Sequence, residues 1–542
     1  MADFGEILEA IGDFGLFQKL ILFGLCFPNT LLPFHLTSLI FNQGNEGQRC
    51  NTDWILTVGP DLTLEEQLNL TVPRQQDGSF STCHMFTPVD WDLSAIRENG
   101  LNETTTCING YVHDLSVYKS TIVSDFDLVC DKANLVGLAQ TVFMAGILVG
   151  SLLFGPFAES IGRQRATQVP VVIMAIFTLV TGFSPNLYFY MVSQFIVGVS
   201  YGGFRVNCIV LATEWIGKNK RAYASCLTQI LAGVGQCIQA GIVYFNRDWR
   251  IAQFIMGSPI VLVAVYIWFI PESARWLLDR GKTEQARQLV LKAAAINKRT
   301  IPDRLLEKLK EGKAVERGGI RALLASSVLK KYFFSILVGW CALNLAYYCL
   351  SLNVGKYGLN IFLTQFVFGI TEVPAHIICI WLLEAVGRKA SLIATLLVGG
   401  FICLLTLIVP QDEAIAVTAL ATVGRFLMNG AGTVCNIYVQ ELFPTSIRQT
   451  ATGLGATATR VAGMLAPVVN LLVIYHWTIP TLVFSSFALA GGALGFLLPE
   501  TRRIELPDST EEAEGKRNMK VMKTIEAPNM VDGSQNCIAT KL

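Results

Sequence analysis

Apolar and charged residues alternate along this chain in long blocks. Runs of about 20 apolar residues, each long enough to cross a hydrocarbon core about 30 Å thick as an α-helix, are joined by short charged links. The pattern predicts twelve transmembrane helices. They lie near residues 17–41, 135–157, 166–185, 187–212, 222–245, 251–270, 332–354, 358–384, 390–410, 413–438, 449–474 and 478–498.

Three short motifs occur twice, 225 to 228 residues apart. They are Glu159 to Arg163, repeated as Glu384 to Arg388; Glu214 with Arg221, repeated as Glu441 with Arg448; and Pro271 to Ser273, repeated as Pro499 to Thr501. An internal repeat of this length in an apolar chain is typical of two homologous helix bundles around a central path. The expected fold is an all-α integral membrane protein with two six-helix bundles around a central cavity, which is the architecture of a transporter.

The predicted bundles leave a few segments outside the membrane. The bundles occupy residues 17–270 and 332–498, and the other segments are an N-terminus at 1–16, a loop at 42–134, a linker at 271–331 and a tail at 499–542. The linker has the pattern of amphipathic helices at 283–298 and 304–311. The polar tail is expected to be disordered.

Charge is scarce and unevenly placed. Only 15% of the residues are charged and 52% are hydrophobic, against roughly 25% charged residues in a soluble domain. The net charge of +1 gives no reason to expect a nucleic-acid partner. Basic residues such as Arg163, Arg165, Arg388 and Lys389 concentrate in the links on one side. By the positive-inside rule this side, with both termini, is cytoplasmic, although the link from Arg247 to Arg250 breaks the pattern.

The loop after the first run carries features of an extracellular segment. Asn69 and Asn102 each begin an acceptor sequence for N-glycosylation, and both lie in this loop. The loop also contains Cys50, Cys83, Cys107 and Cys130. Four cysteines outside the cell predict two disulfides, for which three connectivities are open.

The duplicated charged residues are expected to serve the scaffold and its gating. They are Glu159, Arg163, Glu214 and Arg221 in the first half, and Glu384, Arg388, Glu441 and Arg448 in the second. Because both bundles require them, we expect pairs across the cytoplasmic face that break when the halves rock. Gly162 and Gly387 are expected to allow the tight turns between helices.

A lone arginine in the eleventh run has no equivalent in the repeat. Arg460 corresponds to Gly233 in the first half, so the scaffold does not require a cation there. A lone cation near the middle of a membrane costs about 2.5–3.5 kcal/mol, so it should face a wet cavity or a partner. The planar guanidinium suits a carboxylate or another delocalised anion. The alternative is an ion pair between helices, for example with Glu372.

Other polar residues in the apolar runs indicate a function less specifically than Arg460 does. Arg205 shares a helix face with Tyr201 and is either a second substrate contact or the partner of an internal acid. Arg425 is expected to reach the outer interface or to attract anions there. His376, one turn from Glu372, is either a substrate contact or proton-linked group, or a structural hydrogen-bond donor.

Aromatic and amide residues complete the predicted cavity. Flat rings beside a cation suit aromatic anions, through stacking and hydroxyl donors. The alternative is ordinary helix packing and anchoring at the membrane interface, which applies most readily to Trp340 and one of the tyrosines. The residues are Asn29, Trp340, Tyr347, Tyr348 and Asn436.

The motifs resemble solute carrier family 22, the organic cation, anion and zwitterion transporters of the major facilitator superfamily. The resemblance rests on the large loop, on Glu214-Trp-Ile-Gly, on Pro271-Glu-Ser-Ala-Arg-Trp-Leu-Leu278 and on Glu441-Leu-Phe-Pro-Thr-Ser-Ile-Arg-Gln-Thr450. It implies the organic anion branch, which carries an arginine where Arg460 stands. The opening Ile11-Gly-Asp-Phe-Gly15 and the pair Tyr347-Tyr348 also fit. Within the branch the chain is most similar to transporters of nicotinate and urate, with some likeness to a liver organic anion transporter.

Three positions depart from the pattern of the family. Glu159 stands where aspartate is more common, His376 where many anion transporters carry lysine or arginine, and Arg205 is not part of the pattern. The resemblance therefore implies small monovalent aromatic anions such as nicotinate or urate, exchanged for an intracellular organic anion, rather than dicarboxylate exchange.

An organic cation, zwitterion or sugar carrier has the same fold, and a ligand-sensing receptor or scaffold is an alternative of another class. No enzyme is expected, because no nucleophile–base pair or metal constellation is recognisable, and no phosphate-binding motif suggests ATP or another cofactor. The end of the chain, with Thr540 and Leu542, fits the C-terminal pattern that PDZ domains bind.

Overall fold

The structure is a computed structural model of the protein. It describes residues 4–12, 14–44, 47–75, 78–216, 221–302, 305, 320–353, 359–410, 413–443 and 445–501. Except for residue 305, the helix expected at 304–311 lies outside these residues, as does the chain end with Thr540 and Leu542.

Among the described residues, twelve helical segments are long and apolar enough to cross a membrane. They are span 1 (Leu16–Asn42), span 2 (Asn134–Ile161), span 3 (Arg163–Gly182), span 4 (Leu187–Glu214), span 5 (Arg221–Phe245), span 6 (Trp249–Tyr266), span 7 (Ser327–Leu352), span 8 (Ile361–Ala385), span 9 (Arg388–Leu405), span 10 (Ala414–Leu442), span 11 (Thr445–Leu471) and span 12 (Ile479–Leu494). Short 3₁₀ turns at Ile267–Phe269, Leu472–Ile474 and Gly495–Leu497 extend spans 6, 11 and 12.

Span 7 begins earlier than its apolar run predicts. The run was expected to start at 332, but the helix starts at Ser327. The Ser326 hydroxyl accepts a hydrogen bond from the backbone N–H of Leu329 at 3.3 Å, which caps the helix. Lys330 and Lys331 therefore lie within the first turns of the helix. Because hydrophobicity alone excludes these lysines, it places the start of the helix too late.

Span 1 is broken where a continuous helix was expected. Its helix Leu16–Cys26 passes into a 3₁₀ turn at Phe27–Thr30, followed by short helices at Pro33–Leu36 and Ser38–Asn42. Pro28 lies in the first turn of the 3₁₀ segment, and Pro33 is the first residue of the helix that follows it. Proline lacks the N–H of the helical ladder, and each proline therefore ends the helix before it.

Glycines bring spans 2 and 4 into backbone contact. Gly146 and Gly150 in span 2 face Gly198 and Gly202 in span 4. A Cβ at any of the four would collide with a backbone oxygen of the opposite helix. Pairs of small residues four apart are the usual means by which membrane helices approach closely.

The two halves meet through span 5 with span 8 and through span 2 with span 11. We call the end of the bundle that carries the loop 42–134 the loop side, and the opposite end the linker side. Near the loop side, the ring of Phe362 from the second half lies 5.7 Å from Phe41, 5.9 Å from Tyr118 and 5.7 Å from Tyr244. These four rings, the Phe362 cluster, join the halves at this end.

The loop is a small folded unit with two disulfides. Strand β1 (Gln48–Cys50) pairs antiparallel with β4 (Tyr111–His113), and β2 (His84–Phe86) with β3 (Thr104–Thr106). The disulfides are Cys50–Cys107 and Cys83–Cys130, which is one of the three connectivities left open by the sequence. Short helices lie at Leu64–Thr71, Leu93–Asn99 and Ile122–Asp125, with 3₁₀ turns at Asp53–Thr57 and Cys130–Lys132.

The loop is attached to the first half. Asp125 accepts hydrogen bonds from Trp249 Nε1 at 3.0 Å and from Arg250 Nε at 3.2 Å, both at the start of span 6. Arg250 also donates to the backbone oxygens of Gly182 and Ser184 at the end of span 3. Arg250 is one of the two arginines that break the positive-inside pattern, and these hydrogen bonds explain its position on the loop side.

On the linker side, helices Ala274–Asp279, Thr283–Ile296 and Ile320–Ala325 lie between the halves in sequence, and helix Phe4–Ile11 precedes span 1. Asn297, just after Thr283–Ile296, donates from Nδ2 to the oxygen of Ile11 at 3.0 Å and to Gln18 Oε1 at 2.8 Å. The linker is therefore bonded to the start of the chain.

Candidate functional site

In the first half, the repeated motifs meet at one point on the linker side. Glu272 Oε1 accepts the backbone N–H groups of Arg163 at 2.9 Å and Gln164 at 3.0 Å, which open span 3. The Arg163 side chain lies 3.4 Å from Glu214 Oε1 at the end of span 4. Burial raises the pKa of the Glu272 carboxyl, whereas its backbone donors oppose that rise.

Gly162 has φ +119°, and a Cβ there would collide with Glu272.

The second half repeats this arrangement with tighter bonds. Glu500 accepts the backbone N–H groups of Arg388 at 2.9 Å and Lys389 at 3.1 Å. Arg388 donates to both oxygens of Glu441, at 2.8 and 2.7 Å. Gly387 has φ +109° and stands against Glu500 as Gly162 stands against Glu272. Glycine is required at both turns because other residues are strained in this conformation.

The expectation that these charges pair across the two halves is wrong for the arginines whose side chains are described. Arg163 and Arg388 each bind a glutamate of their own half, between neighbouring spans. The side chains of Arg221 and Arg448 lie outside the described part of the structure, while those of Glu159 and Glu384 are exposed. The motifs recur because each half folds around its own charge cluster.

A buried ion pair occupies the middle of the second half. Arg425 and Glu372, 2% and 6% exposed, lie 2.6 Å apart. The Tyr347 hydroxyl donates to Glu372 Oε1 at 2.8 Å and accepts from Arg425 at 2.8 Å. This corrects two expectations: Arg425 does not reach the outer interface, and the partner of Glu372 is Arg425 rather than Arg460.

The same network crosses to the first half. Arg425 also donates to Gln236 Oε1 of span 5 at 3.2 Å, and Gln236 Nε2 donates to Gln365 of span 8 at 2.6 Å. Gln236 and Gln365 were not predicted from the sequence. Each is an amide in the middle of an apolar run. This feature could have identified both residues, because polar residues inside a membrane are usually functional.

Arg205 and Arg460 lie in opposite halves, in spans 4 and 11. Arg205, in span 4, donates to the Tyr201 hydroxyl at 3.2 Å. Arg460 lies in span 11, where Tyr348 packs against Gly463 about one turn away. Within the described part of the chain, neither has a carboxylate within 4.0 Å. Arg460 Nε is buried and has no hydrogen-bond partner among these residues.

His376 is engaged on both sides of its ring. Nδ1 lies 2.8 Å from the Thr433 hydroxyl and Nε2 lies 3.4 Å from Asn429 Nδ2, both in span 10. The side chain is 2% exposed. This geometry favours the structural role over direct contact with a substrate.

The remaining predicted residues differ in surroundings. Asn29 is buried at the break of span 1 and donates to the oxygen of Leu25 at 3.0 Å. Trp340 is 5% exposed and packs against Gly455 of span 11. Asn436 is exposed. The structure thus places Tyr348 against the part of span 11 that carries Arg460, whereas Asn29 and Trp340 lie in packed positions.

Comparison with known proteins places this arrangement in a family. The family model described as "Sugar (and other) transporter" matches residues 94–515. The chain is 38% identical over 516 residues to solute carrier family 22 member 13 of Homo sapiens, covering 95% of this chain and 94% of that relative. The chain belongs to solute carrier family 22. It is also 32% identical over 532 residues to member 6-B of Xenopus laevis, covering 94% of each.

Solved structures agree on the fold of this family 22 chain. An inward-open conformation of the xylose transporter XylE from E. coli matches with a TM-score of 0.56 at 16% identity, covering 91% of this chain and 98% of that one. The proton:xylose symporter XylE bound to 6-bromo-6-deoxy-D-glucose matches with a TM-score of 0.53 at 18% identity, covering 90% and 98%. The chain is a multi-pass membrane transporter with the fold of the major facilitator superfamily.

Proposed function

We propose that this family 22 transporter is a secondary-active organic anion carrier of the plasma membrane. It exchanges small aromatic or carboxylate anions, such as nicotinate or urate, for intracellular organic anions by alternating access. The site lies between the halves, around Arg460 of span 11.

The observation that carries the proposal is the contrast between three arginines. Arg425 is neutralised by Glu372 at 2.6 Å. Arg205 and Arg460 have no such partner among the described residues, and one guanidinium nitrogen of Arg460 is buried without a hydrogen bond. A partly buried cation without a counter-ion is costly, so a bound anion relieves the cost and its binding is favoured.

Alternating access is supported by how the halves meet. The Phe362 cluster and the bond between Gln236 and Gln365 lie towards the loop side. Rocking the halves about the central site would open this side and close the other. An inward-open conformation among the matching folds is consistent with this cycle.

The proposal is tested by uptake of labelled nicotinate, urate, para-aminohippurate and tetraethylammonium into cells expressing the protein. We expect uptake of at least one anion above mock-transfected cells, faster when the cells are preloaded with an organic anion. Uptake of tetraethylammonium alone would contradict the proposal and indicate a cation carrier. Binding of an anion without any uptake would indicate a receptor instead.

The proposed topology places the loop outside the cell and both termini in the cytoplasm. Asn69 and Asn102 are both exposed on the loop. We expect replacement of both by glutamine to convert the protein to a single smaller band on a gel, equal to that of the wild type after treatment with a glycosidase. Replacing Asn99, which begins no acceptor sequence, serves as the control. An unchanged mobility of the double variant would contradict an extracellular loop.

A PDZ-domain protein is the proposed cytoplasmic partner. The C-terminal residues Thr540 and Leu542 have the hydroxyl and apolar side chains that such domains bind beside a free carboxylate. The proposal applies to assembly at the membrane and is independent of the substrate site.

A further inference from the structure

We propose that a groove on the exposed surface of the second half binds one zwitterionic phospholipid from the leaflet on the linker side. The groove has a volume of about 360 Å³ and lies between the start of span 9 and the end of span 12. It is independent of the substrate site. Its lining residues are Lys389, Ala390, Ile393 and Ala394 of span 9, Phe496 of the 3₁₀ turn after span 12, and Glu500.

The walls of the groove are apolar and face away from the protein. Ala390 and Ala394 lie one turn apart on span 9 and are both exposed, and the same face continues with Val398 and Phe401, which are also exposed. Exposed apolar side chains on a membrane span face acyl chains rather than water. Two alanines beside the larger Phe496 leave a depression along the helix, and an acyl chain from the bilayer fills it.

Lys389 closes the groove at its polar end. Its ammonium donates to the backbone oxygen of Phe496 at 2.8 Å, which is its one side-chain bond within the described part of the chain. An ammonium has three donors, so it keeps capacity for a phosphate oxygen, which is a strong acceptor. Lysines at the end of a span are placed at the level of the lipid headgroups. The groove therefore offers a cation to the phosphate and an apolar wall to the chain of the same lipid.

Glu500 restricts the kind of headgroup. Its carboxylate lines the groove and accepts the backbone N–H of Lys389 at 3.1 Å. A headgroup with a net negative charge would bring that charge close to the carboxylate and be repelled. A zwitterionic headgroup supplies the phosphate for Lys389 without a surplus of negative charge.

The bond from Lys389 is repeated in the first half without its charge. Gln164, 225 residues earlier, donates from Nε2 to the backbone oxygen of Ile270 at 2.8 Å. Ile270 is the counterpart of Phe496, 226 residues later. A neutral amide therefore suffices for this bond, and the scaffold does not require the charge of Lys389.

The apolar part of the groove is also specific to the second half. Its two alanines correspond to larger residues of the first half, Arg165 and Val169. Ile270 packs against Gly24 of span 1 and is 7% exposed, whereas Phe496 is 60% exposed. The open groove is thus not a consequence of the repeated fold, as a scaffold feature would be.

The test measures phospholipid bound to the purified full-length protein in detergent. Dioleoylphosphatidylcholine is titrated, and native mass spectrometry gives the fraction of the protein that carries one lipid. We expect Lys389→Gln to bind this lipid about five- to tenfold more weakly than the wild type, since a charge-assisted hydrogen bond at a half-exposed site is lost. Glutamine keeps a donor for the oxygen of Phe496, as Gln164 shows, so the melting temperature without lipid should not change. Unchanged lipid binding by Lys389→Gln would overturn the inference.

A second pair of variants tests the apolar part of the groove. Ala394→Phe fills it and should weaken binding at least about tenfold, because the acyl chain loses the contacts of two or more methylene groups. Val398→Phe places the same ring one turn further along the same exposed face, outside the lining residues, and should bind the lipid like the wild type. Equal binding by both variants would show that the lipid does not occupy this groove. If Ala394→Phe melts at a lower temperature without lipid, Lys389→Gln decides alone.

Two lipids with the same acyl chains test the headgroup. The binding compared is the part that Ala394→Phe abolishes. Dioleoylglycerol lacks the phosphate and should bind the wild type about as weakly as dioleoylphosphatidylcholine binds Lys389→Gln. Dioleoylphosphatidylglycerol has a net negative charge and should bind more weakly than dioleoylphosphatidylcholine. Equal binding of dioleoylglycerol would overturn the contact between the phosphate and Lys389, and equal or tighter binding of dioleoylphosphatidylglycerol would overturn the preference for a zwitterion.

Discussion

Replacing Arg460 by alanine is expected to lower the affinity for a transported organic anion about 10- to 150-fold. The lost charge-assisted hydrogen bonds are worth about 1.5–3 kcal/mol, which corresponds to that range. Arg460→Lys should recover only part of the loss, because lysine keeps the charge but lacks the planar guanidinium that donates two parallel bonds to a carboxylate. The measurement is the concentration dependence of anion uptake into cells expressing each variant.

The control for Arg460 is the amount of protein at the cell surface. Surface biotinylation should give equal amounts of wild type and both variants, since Arg460 has no ion-pair partner among the described residues whose loss would leave a buried charge. Arg97→Ala removes an exposed arginine of the loop and should leave uptake unchanged. Undiminished uptake by Arg460→Ala at equal surface amounts would remove this residue from the substrate site.

Breaking the pair between Arg425 and Glu372 is expected to have the larger effect on the folded protein. Either Arg425→Ala or Glu372→Ala leaves the other charge buried, because the two are 2% and 6% exposed. Removal of one partner of a buried pair costs about 3–5 kcal/mol. We expect both single variants to be destabilised by this amount, measured as a lower melting temperature of the detergent-solubilised protein.

Two further variants show whether the charge itself is responsible. The double variant Arg425→Met with Glu372→Leu removes both charges and should recover most of the stability, since apolar replacements of a buried pair are often tolerated. Arg287→Ala breaks an exposed pair with Glu284 at 3.8 Å and should change stability by less than about 1 kcal/mol. If the double variant were as unstable as the single variants, packing around Arg425 rather than its charge would be what stabilises this region.

The membrane spans could be predicted from the sequence because length and hydrophobicity determine them directly. The start of span 7 could not, since Ser326 caps a helix whose first turns contain lysines. Pro28 and Pro33 indicate the break in span 1, but the apolar residues around them, taken alone, predict one continuous helix. The disulfide connectivity was left open because spacing alone does not show which cysteines face each other.

The sequence named candidate residues for the site, but it did not show which of them are partners. Absence from the repeat set Arg205, Arg425 and Arg460 apart from Arg163 and Arg388, although Arg425 is paired with Glu372. Sequence separation does not show which helices are neighbours, so Glu372 was considered a partner for Arg460 when Arg425 lies beside it. For the same reason the duplicated arginines were expected to bind across the halves, whereas each binds within its own half.

If the halves alternate as proposed, the Phe362 cluster sets a scale for the equilibrium between the two orientations. Its three ring contacts are each worth about 0.5–1.5 kcal/mol beyond the area they bury. Together they favour closure at the loop side by roughly 10 to 2,000 to one, all else being equal. Phe41, Tyr118 and Tyr244 all belong to the first half or its loop, so Phe362 supplies the contribution of the second half to this cluster. The resting population of each orientation is therefore sensitive to the size and polarity of one residue.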